Sequence, residues 1–100
     1  MTRVAGIALA ALLAAVTVIA QSARTTLDIY LIDVEGGNAT LFVSPAGESL
    51  LIDTGNGGQA AARDAGRIMA AVQDARLTRI DHLITTHYHG DHFGAIAATR

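Results

Sequence analysis

Cysteine and lysine are both absent from this sequence of 100 residues. Without cysteine, the sequence offers neither a disulfide nor a lipid attachment at a signal cleavage site. Without lysine, it lacks the Gly-x-x-x-x-Gly-Lys-Ser/Thr phosphate-binding pattern, so we interpret the glycine-rich run TGNGG at 54–58 as a tight strand-to-helix connection. The arginines are scattered and the formal net charge is −2. Nucleic-acid-binding surfaces normally show clustered lysine and arginine, so this composition argues against a polynucleotide partner.

The N-terminal residues have the pattern of a secretory signal. Arg3 gives a short positive start, an apolar run follows over 4–20, and Val18-Ile19-Ala20 resembles a cleavage site. We predict a signal peptide over 1–20, and therefore a periplasmic or secreted protein. The alternative is an uncleaved membrane anchor, since the run approaches the minimum length of a spanning helix. Weakly apolar alanine and the lack of a following positive cluster favour cleavage.

The remaining sequence predicts four strands and two helices. Apolar and β-branched runs predict strands at 26–34, 39–44, 49–53 and 79–86, and apolar residues at 3–4 spacing predict helices over 59–76 and from about Asp91. The second and third strands flank a short Pro/Gly turn, which predicts an antiparallel hairpin. The first strand is apolar on both faces from Ile29 to Ile32, as in a buried strand. The order β-β-β-α-β-α predicts an α+β fold with helices packed on a sheet.

The charged residues of the first predicted helix fall outside its apolar stripe. We interpret them as a solvated surface: Arg63, Asp64, Arg67 and Asp74. At the other end of the chain, FGAIAAT before Arg100 has a helical pattern without a stop signal. We therefore expect residues 26–100 to form the N-terminal, incomplete part of one domain in a longer protein.

All four histidines lie in the stretch HLITTHYHGDHFGA, and three of them share six residues with an aspartate: His87, His89, Asp91 and His92. His87 and His89 project to the same side of an extended backbone, and Gly90 can turn the chain so that the other two come near. Neutral imidazole and carboxylate suit zinc, iron or manganese. Adjacent Asp91 and His92 do not easily complete a tetrahedron with the first pair, so we favour two neighbouring ions. The alternative is a polar loop whose histidines cap a helix.

Two residues near this cluster have less specific roles. His82 lies within the fourth predicted strand, and we expect it to pack or to form a hydrogen bond there rather than bind metal. Tyr88 stands between two predicted ligands, where it either contacts substrate or packs against the ligands.

The sequence THYHGDH resembles the His-x-His-x-Asp-His signature of the metallo-β-lactamase fold superfamily. LLIDTG at 50–55 resembles the upstream pattern of the same family. IDVEGGNATLFV resembles the Asp-Val-Gly-Gln-Gly-Asp-Ala motif of the branch that contains the metallo-hydrolase domain of bacterial DNA-uptake channel proteins, with departures at Glu35, Gly36 and Asn38. The resemblance covers roughly residues 27–97.

This resemblance implies a four-layer αββα sandwich, of which the chain covers the N-terminal half. It implies that His87 and His89 bind a first metal ion, and that Asp91 and His92 bind a second. Asp53 would steady the ligands from behind, or it would simply form the turn after its strand. The family takes its remaining ligands from later sequence. We therefore expect the 100-residue chain alone to bind metal weakly and to be inactive.

The predicted function is that of an exported, metal-dependent hydrolase. A metal-bound hydroxide, oriented by Asp91, would attack an ester, amide or phosphodiester bond in a small-molecule or phosphodiester substrate. We expect two zinc ions in the whole protein, with iron or manganese as alternatives. Two other functions stay open from the sequence: a non-catalytic metal- or ligand-binding module of the same fold, and a membrane-tethered DNA-processing domain. The second requires an uncleaved N-terminus and a basic groove.

Overall fold

The computed structural model describes residues 23–99, and the predicted signal peptide lies outside these residues. The fold is α+β, as the sequence predicts. The elements follow in the order β1 (Asp28–Leu31), β2 (Thr40–Val43), β3 (Ser49–Ile52), α1 (Ala61–Asp74), β4 (His82–Ile84) and α2 (Gly90–Phe93). Single turns of 3₁₀-helix precede α1 at Gly58–Ala60 and follow α2 at Ile96–Ala98. Among residues 23–99, no helix has both the length and the apolar character needed to cross a membrane.

The four strands form one sheet in chain order. β1 pairs antiparallel with β2, and β2 pairs antiparallel with β3, which confirms the predicted hairpin. β3 pairs in parallel with β4, and α1 makes the crossover between them. Because β3 and β4 run in the same direction, the residues that follow each of them emerge at the same edge of the sheet. Asp53, directly after β3, therefore lies close to the start of the histidine-rich segment, which follows β4.

One face of the sheet packs against α1. Leu41 and Leu51 are fully buried in a cluster with Ile68 and Val72 of the helix. Burying a side chain of this size contributes about 1.5–3 kcal/mol, so these contacts hold α1 firmly over β2 and β3. The position of α1 in turn fixes the loop that precedes it.

The opposite face of the sheet is apolar but exposed, with Ile29 at 54%, Leu31 at 83% and Ile84 at 48% exposure. The prediction that the first strand is buried on both faces is therefore wrong for the described residues. β1 is an edge strand, and α1 covers only one face of the sheet. A helix on one face and an apolar, exposed second face are consistent with part of the αββα sandwich implied by the resemblance.

Two expectations about the helices need correction. Asp64 is fully buried, whereas the sequence pattern assigned it to a solvated face. It lies one turn before Ile68, on the stripe that faces the protein interior. The second helix begins near Asp91 as predicted, but α2 ends at Phe93 and the 3₁₀ turn at Ile96–Ala98 follows it.

Candidate metal site

Three segments meet at the edge of the sheet where β3 and β4 end. They are loop 33–38 between β1 and β2, loop 53–58 between β3 and α1, and segment 85–94, which carries the predicted ligands. Backbone hydrogen bonds join the three segments: Asn38 N–H to the Asp91 carbonyl (3.2 Å), Thr54 N–H to the His92 carbonyl (2.7 Å), Gly94 N–H to the Gly55 carbonyl (3.1 Å) and Gly55 N–H to the Asn38 carbonyl (2.9 Å). The backbone of the ligand-bearing segment is thus held from two sides.

Close packing of the backbones explains why residues 37 and 94 are glycines. A Cβ on Gly37 would lie 2.2 Å from the Asp91 carbonyl oxygen, and one on Gly94 would lie 1.9 Å from the nitrogen of Gly57. Real Cβ atoms do not approach backbone atoms so closely, so any side chain would push the segments apart. The glycines therefore permit the hydrogen bonds that connect the loops.

Three of the four predicted ligands come together. One donor atom each from His87, Asp91 and His92 lies within 4.8 Å of the other two. The rings of His87 and His92 have centroids 3.8 Å apart. His89 stands beside this group, its ring edge-on to that of His87 with centroids 4.8 Å apart. The arrangement gathers two imidazoles and a carboxylate at one point, with a third imidazole adjacent.

Asp53 lies behind this cluster, with only 1% of the residue exposed. Its carboxylate accepts hydrogen bonds from His92 Nδ1 (2.7 Å), from the backbone N–H (2.7 Å) and hydroxyl (2.8 Å) of Thr86, and from Asn38 Nδ2 (3.1 Å). Burial alone would raise the pKa of Asp53, but these hydrogen bonds outweigh it and lower the pKa to about 2. Asp53 is therefore an anion at neutral pH that can only accept hydrogen bonds.

This anion determines which ring nitrogens of two histidines carry a proton. Because Asp53 accepts from His92 Nδ1, the proton of neutral His92 sits on Nδ1 and the Nε2 lone pair is free. Thr86 gives its only hydroxyl proton to Asp53, so its oxygen can only accept from His87 Nδ1, 3.1 Å away. His87 consequently also has its lone pair on Nε2. Both imidazoles are in the tautomer that coordinates metal through Nε2.

The residues present fit a transition-metal site by the chemistry of their donors. Neutral imidazoles and an aspartate are the ligands that zinc accepts, and a carboxylate hydrogen-bonded behind a ligating histidine is the usual support for such ligands. The Asp91 side chain is 42% exposed and the His92 side chain 20%, so the cluster opens to solvent on one side. A metal ion and a further ligand therefore have access to it.

The remaining predicted residues lie around this cluster. His82 forms a hydrogen bond with Glu48 through Nε2 at 2.6 Å, within β4 and away from the ligands. Tyr88 is 84% exposed, and its ring meets Phe93 edge-on with centroids 5.9 Å apart. A side chain packed against the ligands would be largely buried, so the exposure of Tyr88 argues against that one of its two predicted roles.

Sequence reasoning missed the roles of Thr86, Asn38 and Asp64. Asp64 accepts hydrogen bonds from the backbone N–H of Asn56 and from its side chain, and so holds loop 53–58. The sequence contained one indication that Asp64 is buried: it lies on the apolar stripe of α1, four residues before Ile68. For Asn38 and Thr86, only the fold brings the partners together, since their shared contact Asp53 is remote in sequence.

The chain was also compared with known protein families and structures. The model of the metallo-beta-lactamase superfamily matches residues 32–98 of the chain. No curated protein and no solved structure matches the chain significantly. The matched range contains the three segments and every residue of the cluster and of the hydrogen-bond network behind it.

Proposed function

The chain belongs to the metallo-beta-lactamase superfamily, whose members are mostly metal-dependent hydrolases, and from this premise we propose that it serves as an exported, metal-dependent hydrolase. One observation carries the proposal: donor atoms of His87, Asp91 and His92 lie within 4.8 Å of one another, and the contacts of Asp53 and Thr86 leave the Nε2 lone pair free on both histidines. A loop that merely caps a helix needs no buried anion to select those tautomers. The network therefore favours a metal site over a polar surface loop.

The residues that would hold metal are the four in segment 85–94. We propose that His87 and His89 belong to one ion and that Asp91 and His92 belong to a second, with zinc as the first choice of metal. When bound, such ions would supply Lewis acidity for polarising the scissile bond and for activating water. Each ion needs ligands beyond these four.

The chain's own residues define the rest of the chemistry. Asp53 and Thr86 hold the imidazoles in one tautomer, so that no reorganisation is required when a cation arrives. The partly exposed carboxylate of Asp91 can accept a hydrogen bond from a water molecule or substrate group at the open side. We propose an ester, amide or phosphodiester as the substrate class. The apolar run and cleavage pattern at 1–20 support export to the periplasm or beyond.

Metal binding tests the proposal most directly. Zn²⁺ and Co²⁺ titrations of the 100-residue chain, followed by elemental analysis after dialysis, should show weak binding that His87→Ala with His89→Ala abolishes. His82→Ala is the matched control, since this histidine lies outside the cluster, and it should leave binding unchanged. A chain that binds no metal, or binds it equally after the double substitution, would contradict the proposal.

Hydrolysis assays address the catalytic part of the proposal. A panel of phosphodiester, lactam and ester substrates, offered with Zn²⁺, should give no turnover by the 100-residue chain because the ligand set is incomplete. A longer protein product that supplies the further ligands should hydrolyse one of these classes. Metal binding without any turnover by that product would indicate a binding module instead.

A further inference from the structure

The fully buried carboxylate of Asp64, on α1, lies outside the ligand cluster and takes no part in the proposed chemistry. We propose that Asp64 is a positioning residue of the metal site: it fixes loops 33–38 and 53–58, and these loops fix the backbone of the metal ligands. The inference rests on the metal role proposed above for segment 85–94. Its evidence is a continuous series of hydrogen bonds from α1 to Asp91 and His92.

The first step joins Asp64 to loop 53–58. Its Oδ2 accepts from the backbone N–H of Asn56 at 2.7 Å and from Asn56 Nδ2 at 3.0 Å. A Cβ on Gly55 would lie 2.6 Å from the same oxygen, so the loop backbone rests directly on the carboxylate. Burial opposes the charge, but Arg63 and Asn56 outweigh it and lower the pKa of Asp64. The group that holds the loop is therefore an anion.

The second step joins the same residues to loop 33–38. Asn56 Nδ2 also donates to the carbonyl of Val34 at 2.5 Å, and Arg63 donates to that carbonyl at 3.3 Å. Arg63 in turn donates through Nε to Asp64 at 2.7 Å and forms an ion pair with Glu35. The Asp64 carboxylate thus lies at the centre of the contacts that Asn56 and Arg63 make with both loops, while Arg67 holds loop 33–38 separately through the Asp33 carbonyl.

The third step leads from the two loops to the ligands. Loop 53–58 binds segment 85–94 through the hydrogen bond from Thr54 to His92 and the one between Gly94 and Gly55, while Asn38 donates to the carbonyl of Asp91. These are backbone contacts of two proposed ligands. A shift of either loop would displace the ligand backbone, even though Asp64 touches none of the ligands.

An apolar or neutral residue cannot replace this carboxylate. Asn56 presents two N–H groups to the same Oδ2 atom. In Asp64→Asn the amide N–H₂ must take the place of one carboxylate oxygen, so it faces either the donors of Asn56 or Nε of Arg63, and donors face a donor in both orientations. Unpaired donors next to a buried side chain are unfavourable, so the loop should move away from α1 to pair them.

The experiment compares Asp64→Asn with Asp74→Asn in the 100-residue chain. Both changes remove one carboxylate from α1, but the exposed Asp74 side chain accepts a hydrogen bond from the Tyr30 hydroxyl and makes none to the two loops among the described residues. In the metal-free chain, hydrogen exchange of the Gly94 and Thr54 amides should become about tenfold faster in Asp64→Asn. The amides of β2 should keep their protection, and Asp74→Asn should match the wild type at all of these sites.

Co²⁺ titration supplies the readout at the metal. Asp64→Asn should weaken Co²⁺ binding about tenfold and alter the visible absorption spectrum, since displaced ligands change the coordination geometry. If Asp64→Asn does not fold, Asn56→Ala is the variant to measure. It removes the hydrogen bond from the Asn56 side chain to Val34 but keeps the one from the backbone N–H of residue 56 to Asp64. Asn56→Ala should show the same changes in hydrogen exchange and Co²⁺ binding, with a smaller magnitude.

Two results would overturn this inference. The first is unchanged exchange at Gly94 and Thr54 in both Asp64→Asn and Asn56→Ala. The second is faster exchange that is equal at these amides and throughout β2. Equal acceleration would indicate general destabilisation rather than positioning. Failure of the wild type to bind Co²⁺ is a different result, which contradicts the proposed function. The exchange measurement needs no metal, so the two failures can be told apart.

Discussion

At the scale of single residues, the hydroxyl of Thr86 has an effect larger than its size suggests. It donates to Asp53 and accepts from His87, so it carries the influence of one buried anion to a second histidine. Asp53 contacts His92 directly but reaches His87 only through Thr86. The two predicted ligands nearest each other therefore depend on one carboxylate and one hydroxyl.

Substitution of Thr86 tests this dependence. Thr86→Val keeps the shape but removes the acceptor for His87 Nδ1, so both tautomers of that ring become available. Loss of such a supporting contact typically lowers metal affinity 10–100-fold, and we expect about tenfold weaker Co²⁺ binding. Thr86→Ser retains the hydroxyl and should bind Co²⁺ nearly as well as the wild type. Equal affinities of Thr86→Val and Thr86→Ser would contradict the tautomer argument.

At the scale of elements, periodicity predicted the order of strands and helices but not what each face contacts. The stripe of Ile68 and Val72 follows from 3–4 spacing, and α1 lies where it predicts. Asp64 lies on the same stripe, although our interpretation of the sequence pattern places it on a solvated face with the other charged residues. Its burial depends on Asn56 and Arg63, whose arrangement only the folded loop creates. Pattern reasoning therefore fails where a charged residue finds its partners inside the fold.

Two glycines on neighbouring elements should respond to alanine in opposite ways. Gly94→Ala would place a Cβ 1.9 Å from the nitrogen of Gly57, so the segments must separate and the chain should lose stability. Gly66→Ala meets nothing within 4 Å in the interior of α1 and should stabilise the chain by about 0.5–1 kcal/mol. Urea unfolding monitored by circular dichroism measures both. A Gly94→Ala chain as stable as Gly66→Ala would show that the close approach is not required.

At the scale of the whole molecule, the sequence predicted the fold class and the residues of the candidate site better than their mutual arrangement. The candidate ligands could be predicted because His87, His89, Asp91 and His92 are close in sequence. Of their supports, Asp53 was implied only by the family resemblance and Thr86 was missed, because these two residues meet only when β3 and β4 pair in parallel. The exposed face of the sheet shows a second limit of prediction from sequence. Apolar residues indicate that a face can be buried, but not what covers it.

Buried anions also give the whole chain an acid-dependent stability. The pKa of Asp53 falls from 3.8 to about 2 on folding, and that of Asp64 is lowered as well. As the pH drops below about 4, the unfolded chain takes up these protons first, so it binds more protons than the folded chain and stability decreases. At neutral pH the shift of Asp53 contributes about 2 kcal/mol, which is lost as the pH falls through about 2.

Urea unfolding of the metal-free chain between pH 5 and pH 2.5 measures this dependence. The wild-type free energy of unfolding should fall steeply over this interval, and the fall should be shallower in Asp53→Asn, which has no proton to take up at this position. The comparison isolates Asp53, because the other carboxylates are common to both proteins. Parallel pH profiles would mean that the carboxylate is not held as an anion by His92, Thr86 and Asn38, and the tautomer assignment of both histidines would lose its basis.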